Sequence, residues 1–216
     1  MVERLTIETP KGDVSAAWHE AGATAQVLVV AHGAGAGMDH PFMQGFADAL
    51  AAAGVSALRF NFPYIEKGRR SPGSPKDAIA TFRAAVDVAT ARTGRQVFVG
   101  GKSYGGRISS MAAAEGMPAL GLVFLGYPLH PPGKPEQVRD AHLYDLSQPM
   151  LFLHGTKDSF ATSEVLRAVL QRLGPRATDV PVEGVGHSFE RSRKDDQRDN
   201  AAALVPAVLA FIREHG

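Results

Sequence analysis

The chain has 216 residues, 44% of them hydrophobic, and a formal net charge of +1. So even a balance argues against nucleic acid or an anionic membrane as the main partner. The absence of cysteine excludes disulfides and zinc–thiolate centres. A single domain over 1–216 can bury about 70% of its unfolded surface, so it needs no staple. The opening Met1-Val2-Glu3-Arg4 lacks a signal peptide's apolar run, and no stretch approaches the roughly 18 apolar residues of a membrane span. A cytoplasmic protein is the expectation, and both a monomer and a homodimer fit this composition.

Residues 3–9 alternate as a strand, 9–13 carry turn chemistry, and 14–18 read as the returning strand of an antiparallel hairpin. Residues 26–31 form a continuous apolar run, as in a strand covered on both faces. After the glycine-rich loop 32–37, Phe42, Phe46 and Leu50 give 41–53 a helical period, with Gly54 to end it. A strand at 55–60, a basic loop at 64–75 and a helix at 76–93 closed by Gly94 follow. The strand ending at Val99 leads into glycines, and a helix runs from Arg107 to Ala114. Beyond it lie a strand at 120–125 and an irregular connection at 127–149, with a short helix near 136–142. A strand at 150–154, a helix at 162–173 with Thr162 as N-cap, and a strand at 177–182 come next. The final helix covers 195–214, and Pro206 within it predicts a kink or a break. Strands alternating with helices imply a mostly parallel sheet with helices on both faces and the hairpin at one edge. Such sheets bind ligands beyond the carboxyl ends of their strands.

The chemistry centres on Gly101-Lys102-Ser103-Tyr104-Gly105, a G-x-S-x-G between a strand and a helix. A serine on so sharp a turn holds a strained backbone, and positions two before and two after it must lack side chains. No other serine in the chain has glycine at both places. Gly101-Lys102-Ser103 is not a phosphate loop, because Gln96 stands where its first glycine belongs. Likewise Gly33-Ala34-Gly35-Ala36-Gly37 has Met38 where a dinucleotide fingerprint needs its third glycine.

Ser103 needs an imidazole to take its proton. His187 is the best placed, in a glycine-bearing loop after the last strand. His154 and His32 read as packed histidines, and His130 and His142 are further candidates in the irregular connection. Asp158 follows the strand at 150–154 and can orient His187; Asp145 is its rival but precedes that strand. The amide of Tyr104 and one from the 32–37 loop, Ala34 first and Gly35 second, are the donors expected for a developing oxyanion.

With these residues in place, the chain resembles the α/β-hydrolases over nearly its whole length, with the order Ser103, Asp158, His187. It is similar to the small, lidless, dienelactone-hydrolase-like members. Gly100-Gly101-Lys102-Ser103-Tyr104-Gly105-Gly106-Arg107 and Arg59-Phe60-Asn61-Phe62-Pro63-Tyr64 resemble a branch of hydrolases known mostly from sequence. Dienelactone hydrolases proper carry a cysteine nucleophile, and this chain has none. The resemblance implies an α/β-hydrolase fold and cofactor-free, metal-free hydrolysis of a small-molecule ester or thioester through a serine acyl-enzyme.

Lids in that fold usually lie between the strands at 120–125 and 150–154, and the connection here is too short for a domain-sized cap. Gly35, Tyr64, Tyr104, Tyr127, Leu129 and Phe160 are candidates to line an open pocket. Lys67, Arg69, Arg70, Lys102 and Arg107 could hold an anionic group, or could be ordinary surface charge. Two other functions use the same residues: an acyltransferase with an acceptor other than water, and a non-catalytic scaffold.

Overall fold

The computed structural model describes residues 1–131, 133–192 and 194–216. Eight strands form one sheet: β1 (Val2–Ile7), β2 (Val14–His19), β3 (Val27–Ala31), β4 (Ser56–Phe60), β5 (Phe98–Lys102), β6 (Leu122–Leu125), β7 (Met150–Gly155) and β8 (Ala177–Val182). Their order is β1-β2-β4-β3-β5-β6-β7-β8. The hairpin β1–β2 joins β4 antiparallel, and every later pairing is parallel.

The sheet is buried because its strands are apolar on both faces. Along β3, Val27, Val29 and Ala31 enter one core while Leu28 and Val30 enter the other. Helices α3 (Pro75–Thr93), α4 (Tyr104–Ala114) and α5 (Ser163–Leu173) cover the first face through Phe82, Ile108 and Leu166. Helices α1 (Pro41–Ala52), α6 (Gln197–Ala202) and α7 (Val205–His215) cover the second through Phe46, Ala201 and Phe211.

Several local features differ from the sequence expectation. The basic loop opens with a one-turn helix, α2 (Pro63–Glu66), started by Pro63. α4 begins at Tyr104 rather than Arg107, because Gly105 and Gly106 form its first turn against the sheet. The short helix near 136–142 is a 3-10 turn at Ala141–Leu143. Thr162 occupies the N-cap position of α5 without a side-chain capping bond. The last helix divides as Pro206 predicts, into α6 and α7.

β3 pairs with β4 on one side and β5 on the other. The chain therefore reverses its winding direction between β3 and β5, which leaves a crevice beyond their carboxyl ends. The 32–37 loop and Ser103 both enter that crevice.

Candidate active site

Ser103 sits between β5 and α4 with φ 51° and ψ −114°. Besides Ser103, Phe189 is the only other non-glycine residue with positive φ among those described. Strain at Ser103 is sustained by contacts that admit no side chain nearby. A Cβ on Gly101 would lie 2.5 Å from the Ala31 carbonyl oxygen, and one on Gly105 would lie 2.3 Å from the same atom.

The structure brings the three most separated candidates into one chain of hydrogen bonds. His187 Nε2 lies 2.8 Å from Ser103 Oγ, and His187 Nδ1 lies 2.8 Å from Asp158 Oδ2. In the tautomer that satisfies both, Nδ1–H donates to the carboxylate and Nε2 accepts from the hydroxyl. The Asp158 side chain is wholly buried, and its Oδ1 accepts from the Phe160 amide at 2.8 Å. The Phe160 ring packs on His187 with centroids 4.3 Å apart. Asp145, the rival carboxylate, stands exposed before β7.

The 32–37 loop is braced from beneath. His32 is fully buried; its Nδ1–H donates to the Gly33 carbonyl at 2.7 Å, and its Nε2 accepts from the Phe62 amide at 3.2 Å. Burial pushes its pKa down to about 4, so the ring is neutral at ordinary pH. The Gly35 amide donates to Tyr64 Oη at 3.2 Å. That bond occupies Gly35; the Ala34 amide has no acceptor among the described residues, and the Tyr104 amide opens α4, where an N–H has no intrahelical acceptor.

These groups face a cleft of about 360 Å³ lined by Ala34, Phe42, Met43, Ser103, Phe160 and His187, with Lys102, His40, Ser188 and Gln197 also on its walls. Among the described residues, no aspartate or glutamate lines it. Lys102 Nζ donates to the His187 carbonyl at 2.8 Å. Burial lowers its pKa to about 8, against the opposing pull of Asp158 and Glu190.

Of the six expected lining residues, Phe160 lines the cleft, and Gly35, Tyr64, Tyr104, Tyr127 and Leu129 do not. Tyr127 is buried against Phe124 and Phe152, and its hydroxyl meets Ser110 Oγ at 2.9 Å and His142 Nε2 at 3.1 Å. It anchors the irregular connection to α4, and His142 Nε2 is engaged by Ser110 and Tyr127 rather than by Ser103. Tyr64 faces a neighbouring cavity of about 80 Å³ together with Lys67, Arg69 and the Tyr104 side chain. The basic residues are thereby dispersed: Lys67 and Arg69 line the neighbouring cavity, and Arg107 Nη1 contacts Met111 Sδ. Leu129 is fully buried core.

Sequence reasoning missed His40, Met43, Ser188 and Gln197, which carry no motif. It also missed Gly155, where a Cβ would lie 2.3 Å from the Val185 carbonyl. A glycine ending a strand just before a candidate carboxylate was the available signal.

This chain belongs to the α/β-hydrolases: the family described as alpha/beta hydrolase domain matches residues 24–213. Its fold is similar to an α/β serine hydrolase homologue from Coxiella burnetii, at 20% identity and a TM-score of 0.77, covering 95% of this chain and 97% of that one. It is also similar to an α/β serine hydrolase without a lid from Xanthomonas campestris, at 21% identity and a TM-score of 0.76, covering 97% and 94%. The esterase domain of a Rhodothermus marinus protein matches at 17% identity and a TM-score of 0.75, covering 100% and 99%. Among the described residues, no helix is long and apolar enough to cross a membrane.

Proposed function

We propose that this protein is a serine hydrolase of small carboxylic esters or thioesters. The observation that carries the reading is the pair of 2.8 Å contacts joining Ser103, His187 and Asp158 across three separate loops. Ser103 Oγ attacks the acyl carbon while His187 Nε2 takes its proton, and Asp158 holds the tautomer and stabilises the imidazolium. The amides of Ala34 and Tyr104 receive the oxyanion. Collapse expels the alcohol or thiol, which takes the proton back from His187. Water, deprotonated by the same imidazole, then releases the acid and restores Ser103.

The cleft lies at the small end of the roughly 300–1,000 Å³ range of ligand pockets. It suits a short acyl group better than a long chain. The test is a p-nitrophenyl ester series from acetate to palmitate. Turnover should be highest for two- to six-carbon acyl groups and should vanish in Ser103→Ala with the fold intact. A preference for palmitate, or unchanged turnover in Ser103→Ala, would contradict the reading. Product analysis with competing alcohols distinguishes hydrolysis from acyl transfer.

A further inference from the structure

We propose that Lys102 is a positioning residue for the general base: its ammonium holds the backbone carbonyl of His187 and so fixes the imidazole against Ser103. This inference rests on the serine hydrolase reading above.

Lys102 ends β5, and His187 lies in the loop after β8, so one hydrogen bond ties the nucleophile's strand to the loop bearing the base. The ammonium sits 5.5 Å from the centroid of Phe42 and 5.7 Å from that of Phe189. Those rings stack on each other with centroids 5.9 Å apart. Two aromatic faces and one carbonyl thus surround the cation. Among the described residues, no carboxylate pairs with it. Phe189 reaches this seat from a backbone φ of 60°, and its amide closes a turn onto the Gly186 carbonyl at 3.1 Å, with His187 inside the turn. The strain at Phe189 lies in the segment that Lys102 restrains.

Burying an ammonium without an ion pair is costly. A methionine would fill the space between two phenylalanines without that cost. What methionine cannot do is donate to the His187 carbonyl.

Lys102→Met is the test, on the full chain with a short neutral ester and its carboxylate-bearing hemisuccinate analogue. A displacement of about 1 Å at the base lowers kcat by about 10- to 100-fold. We expect that loss with both esters, with KM changed less than twofold and the melting temperature unchanged or higher. Amide hydrogen exchange across residues 186–189 should accelerate. The chain has no cysteine, so Lys102→Cys can be alkylated with 2-bromoethylamine in denaturant at that position alone and refolded. The restored ammonium should recover most of the lost kcat. Unchanged kcat in Lys102→Met overturns the proposal, as does a failure of aminoethylation to rescue. A KM rise confined to the hemisuccinate overturns it in favour of an anion subsite. Wild-type protein inert toward both esters defeats the hydrolase reading instead, and the exchange measurement keeps the two failures apart.

Discussion

Gly155→Ala changes a residue that neither touches substrate nor donates a proton, yet it should disable the site. The hydrogen-bonding chain depends on the 185–187 segment crossing directly over the end of β7. A Cβ at Gly155 would lie 2.3 Å from the Val185 carbonyl oxygen and 2.5 Å from that of Gly186. Both obstacles are backbone, so no rotamer change relieves them. Ordinary contact begins near 3.4 Å, so the segment must retreat by about 1 Å. That displacement passes to His187, the next residue, whose Nε2 has only 2.8 Å to span. A misplacement of this size costs about 10²-fold in kcat, and overpacking costs about 1–3 kcal/mol of stability. Steady-state kinetics on a short p-nitrophenyl ester, with urea unfolding of the same preparation, measures both. A folded Gly155→Ala protein with wild-type kcat would refute the reasoning, since the imidazole would then not depend on that crossing.

Other consequences are direct. Asp158→Asn should lower kcat by about 10³- to 10⁴-fold with KM little changed, because the amide favours the wrong imidazole tautomer; steady-state kinetics reads it. His32 carries a pKa near 4 in the fold against about 6.5 unfolded. Acid therefore protonates the unfolded chain first, so its contribution is complete above about pH 6.5 and declines as the pH falls toward 4. The loss amounts to roughly 3 kcal/mol, and urea midpoints from pH 7.5 to 4 should show a shallower acid slope in His32→Asn. Tyr127→Phe should leave kcat and KM unchanged while costing about 1 kcal/mol of stability, because its hydroxyl serves Ser110 and His142 rather than the cleft. A raised KM would return Tyr127 to the substrate site.

The parts of the fold legible in sequence were those set by local pattern. The apolar runs that became β3, β6 and β7 can be buried only on both faces, and Pro206 fits the first turn of a helix but not the interior of an unbroken one. The strand–Gly–x–Ser–x–Gly–helix pattern was legible for the same reason, since close approach to the Ala31 carbonyl demands glycine. What pattern did not carry was the partner of each polar side chain. Tyr64 and Tyr127 look alike in sequence. One braces the Gly35 amide and the other anchors a connection, and both roles arise from residues distant along the chain. The same holds for Lys102, whose seat is assembled from α1 and the loop after β8. Aromatic and basic residues near an active edge are thus poor guides to what lines a pocket, because their long side chains turn toward whichever acceptor tertiary packing provides.

The most direct test of the account is intact-mass and peptide analysis after exposure to a fluorophosphonate. It predicts one adduct per chain, on Ser103, formed rapidly in wild-type protein and orders of magnitude more slowly in His187→Ala. A chain that stays unmodified under those conditions, or that is modified at another residue, would contradict it.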